Sequence, residues 1–216
     1  MMTIEWKTST NVVPYEKALS FMENRVDGII RGEQNELIWA LEHPPIYTSG
    51  TSSKKEDLLN LKNLPVYEAK RGGQYTYHGP GQRVIYVMLN LNKRGRDLRK
   101  FVKNLENWII YTLSDFEIEG FTRHDRIGVW VKRPEKPSSI KTDVCEEKIA
   151  AVGIRLRKWV SFHGISVNVD PELNYYEGIV PCGISDYGVT SMRDLGKNVT
   201  IEEIDKSFKK SFSLAF

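Results

Sequence analysis

Two β-prone runs in the second half of the chain are separated by only two residues, and this spacing constrains the fold more than any other feature. The runs are Ile149–Leu156 and Trp159–Val169, and Arg157 and Lys158 join them. Strand patterns this close together predict a β-hairpin. The sheet is therefore expected to be mixed or antiparallel, and a doubly wound parallel sheet is disfavoured.

Three segments have the 3.6-residue apolar periodicity of amphipathic helices. The first follows Pro14, which suits the first position of a helix because no N–H is needed there. The second begins near Asp97, a good capping residue. The third begins near Thr200, and Glu203 stands at the spacing of a capping box.

The remaining segments complete an α+β pattern. Val84–Leu91 is predicted to be a buried strand and Gly128–Val131 a short one, whereas the polar stretch Lys132–Glu147 is predicted to be a loop. Strand signals cluster in the second half and do not alternate with helices, and no shift in composition marks a second domain. We predict one α+β domain over residues 1–216, with a mixed sheet flanked by helices.

Composition excludes several classes of protein. The 216 residues are 40% hydrophobic and 27% charged, as is typical of globular chains. A net charge of +3 is too small for a nucleic-acid-binding protein. No run approaches the ~20 apolar residues of a membrane span, and the N-terminus lacks the apolar region of a signal peptide. With only two cysteines, we expect a cytoplasmic protein without nucleic-acid or membrane partners.

A glycine-rich segment, RGGQYTYHGPGQ, occupies residues 71–82 directly ahead of a predicted strand. Four glycines cost backbone entropy, so the segment needs positive φ angles or a close backbone approach. It is either a wide turn stiffened by Pro80, or a cradle of N–H groups to which Arg71 and His78 add polar contacts. It matches neither pattern of phosphate-binding loop.

The two cysteines differ in their surroundings. Cys182 stands between proline and glycine, which places it on a turn where a thiol is reachable, although a lone cysteine is more often a small buried hydrophobe. Cys145 has three carboxylates within two residues, and their negative charge is expected to raise the pKa of its thiol. Cys182 is therefore the better candidate nucleophile.

Two residues could assist a thiol at Cys182. Lys148 opens a predicted strand, where it is either a solvated strand end or a cation that favours the thiolate and moves a proton. His163 lies in the segment SFHGIS, where the mid-strand Gly164 indicates a bulge or a close ligand approach, and it is the alternative base. The four histidines and two cysteines show no zinc-ligand spacing, so no metal site is expected.

The order RGGQYTYHGPGQ, KIAAVGIR, SFHGISVNV and PCG resembles the lipoyl(octanoyl) transferases, and the match begins at Leu41–Pro45. The resemblance implies the fold shared with biotin and lipoate protein ligases and an enzyme that needs no cofactor. It also implies octanoyl-acyl carrier protein as donor. The implied acceptors are lysines of lipoyl domains in 2-oxoacid dehydrogenases and the glycine cleavage H protein.

The same resemblance implies roles for individual residues. Cys182 is the acyl-thioester nucleophile, and Lys148 lowers the pKa of its thiol and acts as acid and base. The implied substrate-binding residues are Arg71, Gly72, Gly73, Gln74, Tyr75, Thr76, Tyr77, His78, Ala151, Val152, Gly153, Gly164, Ile165 and Ser166. One departure is visible, because Lys132–Glu147 is longer and more charged than is usual in the family.

Two other functions share part of this pattern. An ATP-dependent lipoate or biotin ligase would keep the fold and the lysine but has no use for a nucleophilic cysteine. A non-catalytic acyl-binding or lipoyl-domain-binding module would keep the pocket without a reactive thiol. For the transferase, backbone N–H groups near Gly72–Gly73 or near Cys182–Gly183 are candidates for stabilising the oxyanion.

Five cationic residues occur within eight positions, some just before the second predicted helix and some in its first turn. This cluster is either a solvated group of charges or a docking face for acidic carrier proteins and lipoyl domains. Its members are Lys93, Arg94, Arg96, Arg99 and Lys100.

Overall fold

A computed structural model of the protein describes residues 4–137, 144–180 and 187–216. These ranges contain three α-helices: α1 (Tyr15–Arg31), α2 (Leu98–Ser114) and α3 (Ile201–Ala215). They contain ten strands: β1 (Ile4–Thr8), β2 (Glu36–Leu41), β3 (Ile46–Ser49), β4 (Val66–Glu68), β5 (Thr76–His78), β6 (Gln82–Met88), β7 (Val129–Arg133), β8 (Cys145–Arg157), β9 (Val160–Asn168) and β10 (Gly188–Val189).

The strands form two sheets. The large sheet has the order β1-β2-β6-β9-β8-β10, and β7 also pairs with β8. The small sheet has the order β4-β3-β5. Parallel pairs join β1 to β2, β8 to β10 and β3 to β4, while the remaining pairs are antiparallel. The predicted α+β class with a mixed sheet is confirmed.

Helices cover both faces of the large sheet because β2 has apolar residues on both sides. Leu37, Trp39 and Leu41 pack with residues of α1. Ile38 and Ala40, on the alternate positions, pack into the cluster that includes residues of α2 and α3. Successive side chains of a strand point to opposite faces, so the large sheet is the middle of three layers.

The helix ends follow the predicted caps, with one difference. The side chain of Asp97 accepts a hydrogen bond from Lys100 N at 2.9 Å. Thr200 and Glu203 form the predicted capping box. Pro14 is the N-cap residue and not the first helical residue, because its ψ of 135° is extended, and α1 begins at Tyr15.

The predicted hairpin is present as β8 and β9. Its turn residues are Lys158 and Trp159, one position later than the predicted Arg157 and Lys158, because Arg157 pairs with Val160. Both turn residues have positive φ, 47° and 64°. Two consecutive left-handed residues are the requirement of a type I′ turn, which matches the twist of the flanking strands.

The prediction that strands cluster in the second half is wrong. Five of the ten described strands, β1 to β5, lie before residue 79. Two physical reasons account for the difference. Every residue of β2 is buried, so it lacks the alternation of a half-exposed strand. The strands β3, β4 and β5 are only three or four residues long.

Two predicted boundaries also change. The segment Val84–Leu91 is a strand only as far as Met88, because the side chain of Asn90 accepts a hydrogen bond from Asn92 N and starts a 3-10 turn. The predicted loop Lys132–Glu147 is strand at both ends, because Arg133 pairs with Cys145. None of the helices within the described ranges is long and apolar enough to cross a membrane.

Ion pairs explain part of the charge around that loop. The guanidinium of Arg133 is buried and donates to Glu147 at 2.7 Å and to Asp194 at 2.6 Å. Lys136 donates to Glu147 at 2.9 Å. These contacts place opposite charges together where β7 and β8 meet the segment that follows β10.

Candidate active site

A cavity lies between the two sheets, on the face of the large sheet that α1 covers. Most of the predicted substrate-binding residues line it: Arg71, Gly73, Gln74, Thr76, His78, Ala151, Val152, Gly153, Gly164, Ile165 and Ser166. The wall is completed by residues from α1, β3, β6 and β9: Tyr15, Thr48, Val84, Tyr86 and His163. The predicted residues come from three separate segments of the sequence, and the fold brings them together around this cavity.

Arg71 holds the glycine-rich segment in shape. Its guanidinium donates to the carbonyl oxygens of Gly72 and Gln74 at 3.0 and 3.1 Å, and to Thr48 Oγ1 at 2.8 Å. Gly73 has a φ of +90°, which a residue with a side chain rarely adopts. At Gly153 a Cβ would lie 2.7 Å from the Arg71 side chain, so this glycine makes room for the arginine.

A chain of buried hydrogen bonds continues from Arg71 into the protein. Thr48 Oγ1 contacts His78 Nε2 at 3.3 Å, and His78 Nδ1 donates to Gln82 Oε1 at 2.6 Å. Gln82 in turn donates to Asn168 Oδ1 and to the hydroxyl of Tyr176. Burial lowers the pKa of His78 from 6.5 to about 3, so this imidazole is neutral near pH 7. It orients its neighbours and is not charged.

Three predicted substrate-binding residues lie outside the lining of this cavity. The N–H of Gly72 donates to Ile154 O at 3.0 Å and docks the glycine-rich segment on β8. Tyr75 and Tyr77 pack in a separate aromatic cluster with Tyr47 and Tyr176. These residues support the wall that the rest of the segment forms.

A second, smaller cavity adjoins the first and contains Lys148. Thr76, Ala151 and Ser166 line both cavities, so the two are adjacent. The other lining residues of the smaller cavity are Lys148, Ala150, Asn168, Tyr176 and Val189. Lys148 is thus placed at the edge of the predicted substrate-binding residues.

The ammonium group of Lys148 is enclosed by β7 and the residues that precede it. The residue is 6% exposed. Its Nζ donates to Ile127 O at 3.1 Å and lies 4.7 Å from the centre of the Trp130 ring. In the sheet, Lys148 pairs with Trp130 on one side and Val189 on the other. A cation over an indole face is stabilised by the ring quadrupole.

His163, the alternative base, lies at the other end of the cavity. It pairs with Ile154 across the β8–β9 ladder, six residues beyond Lys148, which corresponds to about 20 Å along a strand. Burial lowers the pKa of His163 to about 3. The adjacent Gly164 lies close to the backbone of β6: a Cβ on Gly164 would overlap the carbonyl oxygen of Ile85.

The two cysteines differ as candidates. Cys182 and its neighbours Pro181 and Gly183 lie outside the described residues. Cys145 is half-buried at the start of β8, and its pKa is raised, first by burial and then by the charge of Glu147. A raised pKa leaves less thiolate, so Cys145 is a poor nucleophile.

Within residues 4–137, 144–180 and 187–216, no group of three His, Cys, Asp or Glu side chains could hold a metal ion. Sequence reasoning missed Tyr15, Thr48, Val84 and Tyr86 as wall residues. Val84 and Tyr86 stand in the run Val84–Leu91, which was predicted to be a buried strand, and no local signal marks Tyr15 or Thr48 as wall residues.

Comparison with known proteins decides the family. The model of the lipoyl protein ligase A/B catalytic domain matches residues 14–213. An octanoyltransferase of Brucella melitensis is 56% identical over 213 residues, which are 99% of this chain and 81% of that protein. The chain belongs to the family of the lipoyl protein ligase A/B catalytic domain. It is therefore an enzyme, an acyltransferase of the octanoyltransferase type, and the resemblance predicted from sequence is confirmed.

Solved structures confirm the predicted fold relationship. A bipartite lipoate protein ligase of Thermoplasma acidophilum superposes with a TM-score of 0.70 at 14% identity, covering 99% of this chain and 84% of that one. A biotin protein ligase of Aquifex aeolicus gives a TM-score of 0.51 at 14% identity, covering 100% of this chain and 69% of that one. At this identity the likeness concerns the fold alone.

Proposed function

We propose that this enzyme transfers an octanoyl group from octanoyl-acyl carrier protein to a lysine of lipoyl domains, through a thioester on Cys182 and with Lys148 as acid and base. The observation that carries the proposal is the position of Lys148 beside a cavity lined by most of the predicted substrate-binding residues. The high identity to octanoyltransferases supports the choice of acyl group.

Chain connectivity supports the pairing of Cys182 with Lys148. The chain leaves the described structure after Val180 and re-enters it at Tyr187, directly ahead of β10. Tyr176 and Val189, on either side of that segment, line the same small cavity as Lys148. His163 is about 20 Å away along the ladder and holds a neutral ring, so it is the weaker partner.

In the first half-reaction, the Cys182 thiolate attacks the carbonyl carbon of the carrier thioester. A new C–S bond forms to Cys182, the bond to the carrier sulfur breaks, and the leaving sulfur takes a proton from the Lys148 ammonium, which becomes a neutral amine. One thioester replaces another, so no ATP is required. A cation at Lys148 favours the thiolate that this step needs.

In the second half-reaction, the acceptor lysine attacks the acyl-enzyme. A C–N bond forms, the C–S bond to Cys182 breaks, and the nitrogen loses a proton that Lys148 accepts. The acceptors proposed are lipoyl domains of 2-oxoacid dehydrogenases and the glycine cleavage H protein. The lipoate protein ligase of the same fold from Thermoplasma acidophilum is described with its E2 lipoyl domain as parts of one lipoylation system, which supports acceptors of this kind.

The donors that stabilise the oxyanion are proposed to lie at Cys182–Gly183. The alternative at Gly72–Gly73 is weakened because the Gly72 N–H already donates to Ile154 O. Backbone N–H groups aimed at a developing negative charge contribute strongly to acyl transfer.

We also propose that residues 1–216 form one catalytic domain that works in the cytoplasm, with neither nucleic acid nor membrane as a partner. The family match over residues 14–213 supports a single unit.

The deciding experiment is the intact mass of the enzyme after incubation with octanoyl carrier protein. The wild type should gain one octanoyl group and lose it when a lipoyl domain is added. Cys182→Ser should gain none, because a serine hydroxyl does not ionise near neutral pH as a thiol beside Lys148 does. The matched control Cys145→Ser should behave as wild type. Octanoylation and turnover that persist in Cys182→Ser would overturn the mechanism.

A second arm separates the competing functions. ATP with free octanoate should give no product, whereas a ligase would adenylate the acid and use it. A binding module would bind octanoyl carrier protein without any mass change.

A further inference from the structure

A carboxylate is buried on the apolar face of α2, and the proposed reaction does not use it. Glu106 is 6% exposed and stands between helix positions that belong to the core, such as Leu105 and Trp108. Burying a carboxyl group is unfavourable unless it is hydrogen-bonded. Its position therefore calls for a partner that makes the burial tolerable.

That partner is a single peptide group, which also contacts Lys148. Glu106 Oε1 accepts a hydrogen bond from Gly128 N at 3.0 Å. The carbonyl of the same peptide group, Ile127 O, accepts a hydrogen bond from Lys148 Nζ at 3.1 Å. The peptide between residues 127 and 128 thus connects the carboxylate of α2 to the lysine of β8.

The peptide is held in an orientation that only glycine tolerates. Gly128 has a φ of +124°. A Cβ at this position would lie 2.7 Å from Ala150 O and 3.3 Å from Lys148 Cε. A hydrogen bond at the N–H end of a peptide also polarises its carbonyl and strengthens what the carbonyl accepts. The hydrogen bond to Glu106 therefore strengthens the contact that the Ile127 carbonyl makes with Lys148.

The electrostatic surroundings of Glu106 include Lys148. Burial raises the pKa of Glu106, while the Gly128 N–H and three charges oppose the shift. These charges come from three elements: Lys103 on α2, Lys148 on β8, and His124 in the segment before β7.

We propose that Glu106 is a positioning residue that acts on Lys148 through the 127–128 peptide. It holds Nζ between the Ile127 carbonyl and the Trp130 ring, at the edge of the substrate cavity. The inference rests on the proposed function, which gives Lys148 the acid and base role. A misplacement of about 1 Å at a reacting group can reduce a rate by about a hundredfold, so a residue that fixes Nζ affects turnover without touching substrate.

The test compares variants of the full-length enzyme that differ in the hydrogen bond. Glu106→Leu removes the acceptor, whereas Glu106→Gln keeps an amide oxygen at the same place. The matched control is Thr112→Val on the same helix, whose hydroxyl bonds to Trp108 O and Ser211 on the side that faces α3. The measurements are kcat and KM for octanoyl carrier protein and the thermal midpoint of each variant.

We expect Glu106→Leu to lower kcat by about tenfold or more with KM within about twofold of wild type. Glu106→Gln should recover most of kcat, and Thr112→Val should keep it. Should Glu106→Leu not fold, Glu106→Asp replaces it, because the shorter side chain does not reach Gly128 N, and the same loss is expected.

Three results overturn the inference. One is wild-type kcat in a folded Glu106→Leu or Glu106→Asp variant. Another is a loss in Glu106→Gln as large as in Glu106→Leu, and the third is an equal loss in Thr112→Val. Lys148→Met is measured alongside. Activity in Lys148→Met would contradict the proposed function itself, whereas an inactive Lys148→Met beside a fully active Glu106→Leu would contradict the positioning role alone.

Discussion

A buried lysine is the residue on which the proposed chemistry depends. Among the described residues, Lys148 Nζ makes one hydrogen bond, to a neutral carbonyl, and one contact with an aromatic face. A buried ammonium usually needs a counter-charge to offset its desolvation. In the proposed mechanism the thiolate of Cys182 supplies that charge, and Lys148 gives a proton to the carrier sulfur and accepts one from the acceptor lysine.

Lys148→Arg keeps the charge but removes the exchangeable proton, because the guanidinium does not deprotonate in proteins. We expect overall turnover to fall by about a hundredfold or more, since general acid–base catalysis supplies about that factor. Mass spectrometry of the acyl-enzyme and of the modified lipoyl domain measures the two half-reactions separately. The control is Lys132→Arg, an exposed lysine on β7. Full activity of Lys148→Arg would contradict the role of Lys148 as base and would favour His163, the alternative base.

At the scale of elements, one arginine of the basic cluster is part of the fold. Arg94 donates to both carboxylate oxygens of Glu36, at 2.5 and 2.8 Å, and Glu36 is buried at the start of β2. Arg96 donates to Asn92. Arg94 therefore has a structural role, because it ties β2 to the turn after β6.

Reversing this charge is expected to destabilise the protein. Arg94→Glu places a second carboxylate against buried Glu36, and breaking a buried ion pair costs about 3 kcal/mol. Urea unfolding should show this loss, whereas Arg99→Glu, at an exposed position, should leave the free energy of unfolding near wild type. An unchanged midpoint in Arg94→Glu would contradict the structural role.

The docking function of the cluster stays a prediction, and Arg99 and Lys100 are the residues that test it, because both are exposed. With both reversed to Glu, KM for octanoyl carrier protein should rise if this face docks an acidic partner, while KM for a small octanoyl thioester should not. Equal KM values for octanoyl carrier protein in wild type and variant would indicate that the cluster is a solvated group of charges and not a docking face.

Elements with local signals were predictable from the sequence, and elements defined by distant partners were not. The caps at Asp97 and Thr200 and the short β8–β9 connection lie within a few residues of what they determine. The small sheet depends on pairings such as Tyr47 with Val66, where no strand is longer than four residues. Burial decides such strands, and burial is a property of the whole fold.

At the scale of the whole molecule, three buried histidines make stability depend on pH. Burial lowers the pKa of His43 to about 4 and those of His78 and His163 to about 3, from 6.5. As the pH falls below 6.5, the unfolded chain binds protons at these positions and the folded chain does not. The stability contribution is therefore complete above pH 6.5 and is lost progressively as the pH falls towards the folded values.

Between about pH 7 and about pH 5.5 the free energy of unfolding should fall by about 4 kcal/mol if all three contribute fully. Urea titrations at both values measure it. His163→Gln should reduce the fall by about a third, and His124→Gln, at an exposed position, should leave it unchanged. Equal stability at the two values would contradict the burial of these rings in solution.

The site was predictable where the family resemblance marked it and hidden where the fold assembles it. Tyr15, Thr48 and Tyr86 come from α1, β3 and β6, and none has a motif around it. In the sequence, Glu106 is an ordinary polar position on a helix. Its role depends on Gly128, which is twenty-two residues away and lies beside Lys148 in the structure. Contacts of that kind leave no pattern in a single sequence.

The small sheet also has a consequence for how such an enzyme can change. Strands β2 and β6 are antiparallel neighbours, with Leu41 paired to Val84, so residues 42–81 are topologically the loop of one long hairpin. Glu42 accepts a hydrogen bond from Gly81 N at 2.7 Å and closes the base of that excursion. Loop length affects stability only weakly. One wall of the proposed acyl cavity is thus a single excursion of the chain from the large sheet, and exchanging it is expected to change the acyl groups accepted while the three-layer frame and Lys148 stay in place.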